Sequence, residues 1–128
     1  MSRVRPGELA VAIEQYLREY TSDVSAAIAQ EIESTAKEIK DDIVARSPEA
    51  TGEYKRGWRI KKQDRQGVVS RIIHNAAKPG LVHLLEHGHA KRGGGRTRAF
   101  PHVRPAAEPR LEAMAEHIRQ ILARGGGL

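Results

Sequence analysis

The 128-residue sequence contains no cysteine. Disulfides, thiolate metal sites and cysteine nucleophiles are therefore excluded, and a small secreted scaffold held by bridges is not expected. Large aromatic groups are nearly as scarce, with one Trp, one Phe and three Tyr. A core must be built mostly from Ile, Leu, Val and Ala, and a base-stacking platform for nucleic acid is hard to assemble. Long apolar runs are missing too. Near the N-terminus the longest covers residues 9–13, preceded by the charged stretch Met1-Ser2-Arg3-Val4-Arg5-Pro6-Gly7-Glu8. That is too short for a signal-peptide core or a membrane span, so a soluble intracellular product without membrane contact is expected.

What is present is 39% hydrophobic and 30% charged, enough for one modest core and too apolar for wholesale disorder. A single domain over residues 1–128 is expected. The net charge of +6 conceals a segregation: residues 7–54 carry a balance of −7 and residues 55–104 a balance of +11. A basic segment of that strength suits a polyanion, because each neutralised phosphate releases a counterion. It equally suits a subunit that meets an acidic neighbour.

Apolar residues recur at helical spacing through Leu9, Ile13, Tyr16, Leu17, Tyr20, Val24, Ile28, Ile32, Ile39 and Ile43, which predicts one long amphipathic helix or two in series. Thr21-Ser22-Asp23 offers three N-caps and marks the place for a break. Pro48 disfavours helix at Ser47 and sets the end near Arg46. Ser47-Pro48-Glu49-Ala50-Thr51-Gly52 reads as a turn, with Thr51 placed to cap a short turn through Tyr54. The alternation at Trp58 and Ile60, and the β-branched residues 68–73, predict an antiparallel hairpin joined by Asp64-Arg65-Gln66-Gly67. Residues 81–86 read as a further strand beneath the long helix. Residues 89–99 are basic and Gly-rich, a flexible loop. A last helix is predicted from about Ala106 to Ala123, with Leu111, Met114, Ile118 and Leu122 on one face and a flexible tail at 124–128. The expected fold class is α+β, two terminal helices on an antiparallel sheet of three to four strands.

Enzymatic readings find little support. His83, Glu86, His87, His89 and His102 include metal-ligand types. In a strand, however, His83 and His87 lie about 14 Å apart, too far to share one ion, whereas in a helix they would share a face. The order His-Glu-x-x-His is absent. Gly93-Gly94-Gly95-Arg96 is not followed by Lys-Ser or Lys-Thr, as a phosphate loop requires. Neither Ser47 nor Ser70 sits in Gly-x-Ser-x-Gly, and no base can be assigned to either. No catalysis, metal or cofactor is expected. The basic residues Lys55, Arg56, Arg59, Lys61 and Lys62, with Lys91, Arg92, Arg96 and Arg98, leave a small nucleic-acid-binding protein as the alternative reading.

Four pieces in order carry a more specific signal: Ala45-Arg46-Ser47-Pro48; Thr51-Gly52-Glu53-Tyr54-Lys55-Arg56-Gly57-Trp58; Leu84-Leu85-Glu86-His87-Gly88-His89; and Phe100-Pro101-His102-Val103-Arg104-Pro105-Ala106. Over about residues 40–110 the chain resembles the gene-product-ten tail-component family of lambda-like phages. The resemblance implies a structural virion protein without catalysis or cofactor, a tail-completion or head–tail connector subunit. It implies a ring, commonly hexameric, that docks on neck and tail-tube proteins around the DNA channel, with the free subunit in the host cytoplasm during assembly. It also implies that Ser47, Pro48, Thr51 and Gly52 form a structural turn, that Glu86 and Gly88 close a strand, and that Pro101 and Pro105 frame the last helix. The family's loop varies at this place, and the stretch with Lys91, Arg92, Arg96 and Arg98 is not matched position by position; its chemistry suggests folding onto a ring interface or the DNA channel.

Overall fold

The computed structural model describes residues 6–49 and 52–125, with side chains from residue 15 onward except 16 and 17. Its elements in order are α1 (Pro6–Arg46), α2 (Glu53–Arg56), β1 (Trp58–Lys62), β2 (Arg71–Asn75), α3 (Leu81–His87) and α4 (Arg104–Ala123). This is an α+β arrangement of two long helices and a small sheet. The expected cap at Thr51, the side chains of Leu9, Ile13, Tyr16 and Leu17, and tail residues 126–128 lie outside the described residues.

Of the two arrangements left open, the structure has one long helix: α1 runs through Thr21, Ser22 and Asp23 without a break. These three residues are exposed, while Val24, Ala36, Ile39 and Ile43 are buried along one stripe. Weak helix formers cost at most about 0.7 kcal/mol each, and packing against α4 outweighs that. The two helices are antiparallel. Tyr20 Oη donates to the Leu122 carbonyl at 3.0 Å, His117 Nδ1 lies 2.7 Å from Glu31 Oε1, and Arg110 Nη1 lies 2.7 Å from Asp42 Oδ2. Part of the acidity of α1 is answered within the chain, as at Asp42. Among the described residues no helix is long and apolar enough to cross a membrane.

Among the described residues the sheet has two strands rather than three or four. β1 and β2 pair antiparallel, with Trp58 opposite Asn75, Ile60 opposite Ile73 and Lys62 opposite Arg71. Beyond them, Arg65 and Val68 bridge a turn whose central residues, Gln66 (φ 50°) and Gly67 (φ 81°), are both left-handed, as a tight hairpin turn demands. Val68 is 65% exposed and stands outside the ladder. Arg71 ties the hairpin to α1, with Nε bonded to Glu33 and Nη1 2.8 Å from Asp64 Oδ1.

The segment read as a third strand is helix α3. Val82, Leu85 and Glu86 turn inward at helical spacing, leaving Leu81 and Leu84 partly exposed. α4 begins at Arg104, two residues earlier than predicted, with Pro105 in its first turn, where a missing N–H costs nothing. The core at the junction of these elements comprises Ile39, Ile43, Tyr54, Trp58 and Ala106, flanked by Val44, Ile73, Val82, Leu85, Val103 and Ala107.

Candidate functional site

The motif residues scattered over half the chain meet in one buried polar cluster. At the end of α1, Ser47 Oγ donates to the Ile43 carbonyl at 2.6 Å and accepts from Trp58 Nε1 at 2.9 Å. One hydroxyl therefore closes the helix and fixes the indole at the start of β1. Tyr54, carried by the single turn α2, places its hydroxyl 2.6 Å from His102 Nε2. The rings of Tyr54, Trp58 and His102 meet edge to face at 5.6–6.1 Å, the geometry that the aromatic quadrupole favours.

Glu86 is the hinge of the cluster. Its Oε1 accepts the backbone amides of His102 (2.8 Å) and Val103 (2.9 Å), and its Oε2 accepts that of Arg104 (2.9 Å). A carboxylate at the positive end of α4 satisfies amides that the helix itself cannot. Burial alone would push this carboxyl up, but the three amides and nearby His102 outweigh it and hold Glu86 below the ordinary range. His102 Nδ1 contacts the Phe100 carbonyl at 2.6 Å. Burial, reinforced by the Glu86 charge, pushes the Tyr54 hydroxyl up to about 12, so it stays protonated at any physiological pH. Glu86 and Gly88 were expected to close a strand; they close a helix, and Glu86 caps the next one.

Asn75 completes the cluster from β2. Its Nδ2 donates to the Tyr54 carbonyl at 2.7 Å, while its Oδ1 accepts the amides of Ala77 and Lys78 at 3.1 and 2.8 Å. Gly57 lies against it, and a Cβ there would stand 2.5 Å from Asn75 Oδ1 and 2.7 Å from Ala77 Cβ. Gly57→Ala is expected to cost about 1–3 kcal/mol by overpacking, whereas Gly93→Ala, with open space around it, should be near neutral. Urea midpoints of the two variants check this, and equal midpoints would contradict the packing described.

The predicted site residues divide. Ser47, Glu86 and Gly88 join the cluster, the last with φ 71° and the Thr97 carbonyl 2.6 Å from where a Cβ would stand. Gly52 caps α2 at φ 75°. Pro105 lies within α4, Pro101 precedes it, and Pro48 follows Ser47 without a polar role in the cluster. Lys91, Arg92, Arg96 and Arg98 lie apart on an exposed hairpin. Ala90 bridges Arg96, the Thr97 amide donates to the His89 carbonyl at 2.8 Å, and Arg96 Nη2 donates to the Gly88 carbonyl at 3.2 Å. Arg98 stacks over the Phe100 ring, 5.6 Å from its centroid. Tyr54, Asn75 and His102 were not singled out as cluster members, although Tyr54 and His102 stand inside the motif pieces. Nothing local in the sequence marks Asn75.

Among the described residues every buried side-chain nitrogen or oxygen has a partner. The cluster spends its polar atoms on one another and on backbone amides. What the arrangement does is lock four chain segments together.

A model of the family described as "Bacteriophage HK97-gp10, putative tail-component" matches residues 12–88. No curated protein and no solved structure matches the chain. The matched span runs from α1 through the turn at Ser47, both strands and α3 to the glycine that ends it, which covers most of the buried cluster. The chain belongs to the HK97-gp10-like family of bacteriophage tail components.

Proposed function

We propose that this tail component is a tail-completion or head–tail connector subunit, assembling as a ring at the neck with the DNA channel at its centre. The observation that carries the reading is the basic hairpin 89–98. It is exposed, carries Lys91, Arg92, Arg96 and Arg98, and springs from the same Gly88 that ends α3 beside the Glu86 cluster. A charged arm on a well-anchored base suits contact with another subunit, with neck or tail-tube proteins, or with the phosphates of passing DNA. Internal pairs such as Asp42 with Arg110 and Glu33 with Arg71 offset part of the acidic helix. The complementary surface for the arm is therefore sought among the exposed acidic residues, such as Asp41 and Glu19. Repeated around an axis, a head-to-tail contact of that kind closes into a ring when the rotation permits.

Light scattering over a range of concentration and salt, with images of any large species, tests this. The expected result is a concentration-driven oligomer that dissociates as salt rises, seen as closed rings. Protein that stays monomeric at every concentration, alone and with purified necks, would exclude the reading. Salt-sensitive binding to duplex DNA without assembly would instead favour a small nucleic-acid-binding protein.

A further inference from the structure

The cavity between α3 and α4, about 460 Å³, is lined by Pro79, Val82, His83, His87, Arg104 and Glu108 among others. Because residues 81–87 are helical rather than extended, His83 and His87 stand one turn apart on one face. Both are exposed, and their ring centroids lie 4.8 Å apart at an interplanar angle of 55°.

We propose that His83 and His87 together chelate a late first-row divalent ion, such as zinc, nickel or copper, at the mouth of this cavity. With a metal–nitrogen bond of about 2.0–2.1 Å and a ring radius of about 1.1 Å, each centroid would lie about 3.2 Å from a shared ion. Centroids separated by 4.8 Å then subtend roughly 100° at the ion, between the square-planar and tetrahedral angles these metals adopt. The pair reaches that spacing without rearrangement of the backbone. The charges at the cavity mouth also permit a cation, since Arg104 Nε is held 2.8 Å from Glu108 Oε1 and the two offset each other. Glu86 is no ligand, its oxygens being committed to three amides. Among the described residues no group of three ligand-type side chains converges to hold an ion. The remaining positions fall to water or to a donor from outside the chain, and binding is weaker than at structural sites with four protein ligands.

Isothermal titration of zinc, nickel and copper chlorides into untagged full-length protein tests the site. One ion per chain is expected, with affinity falling at least about tenfold in His83→Gln and in His87→Gln, and unchanged in His89→Gln. In parallel, the imidazole resonances of His83 and His87 in the unsubstituted protein should move together on adding zinc, a readout that needs no variant. Absence of saturable binding, binding that survives both substitutions, or resonance shifts confined to other histidines would overturn the proposal.

Discussion

Replacing Glu86 by Ala is expected to lower the stability of the protein by about 3–5 kcal/mol. Three amides at the start of α4 lose their acceptor at once, in a place where Glu86 is buried and His102 fully so. Each buried donor left unmade costs about 1–3 kcal/mol, and the sum falls below three full penalties because water can enter a loosened joint. Glu86→Gln keeps one carbonyl oxygen for the His102 and Val103 amides but sets an amide group against that of Arg104, so an intermediate loss is expected. For a domain with total stability of about 5–15 kcal/mol, the Ala change takes a large share. Urea unfolding followed by circular dichroism measures it. A midpoint for Glu86→Ala equal to that of the unsubstituted protein would show that the cluster does not hold α4.

The same carboxyl makes stability depend on pH in a definite direction. Its pKa in the folded protein lies below the ordinary value of 4.5, so unfolding takes up a proton in acid. The stabilisation it contributes is complete above that value and is lost as pH falls through the folded pKa. The gap between the unsubstituted protein and Glu86→Gln should accordingly be widest above pH 4.5 and close in acid. Glu33, Asp42, Glu49 and Asp64 are also held low, Glu33 chiefly by Arg71 and Glu49 by Lys55. These act at the surface and move both proteins alike.

Glu86 also shows where sequence reasoning stops. The long helices were legible because their apolar residues repeat at 3.6 over many turns, and the hairpin because the alternation at Trp58 and Ile60 and the β-branched residues 68–73 flank a polar Asp-Arg-Gln-Gly connection. Residues 81–85, Leu-Val-His-Leu-Leu, are apolar at almost every position, so their period is hidden and a short helix cannot be told from a strand. The mistaken strand then set His83 and His87 apart and cast Glu86 as a strand end. Its three acceptor bonds go to amides sixteen to eighteen residues away, a relation with no local signature. The motif pieces identified the family, but only folding shows that Ser47, Tyr54, Trp58, Glu86 and His102 are parts of one joint. Asn75, fully buried at the end of β2, sits in none of those pieces.

Exchanging Lys91, Arg92, Arg96 and Arg98 for Gln should do the reverse of the Glu86 change, leaving the melt nearly unaltered and abolishing assembly. All four side chains are exposed, and the contacts at risk are the bond from Arg96 to the Gly88 carbonyl and the stacking of Arg98 on Phe100, so the fold has little to lose. In the proposed ring the loss is repeated at every interface. If the charges contribute about 1 kcal/mol per contact, each contact weakens about fivefold, and a closed ring of six, taken as the copy number for the proposed assembly, becomes less stable by a factor on the order of ten thousand. Sedimentation of the purified variant and complementation of a phage lacking this subunit separate the two places the arm can act. Lost rings with lost infectivity would put it at the subunit interface. Intact rings with tails that fail to join would put it on the channel or the neck. Normal rings and normal infectivity would remove the basic arm from the assembly mechanism altogether, leaving its four positive charges without a role in the particle.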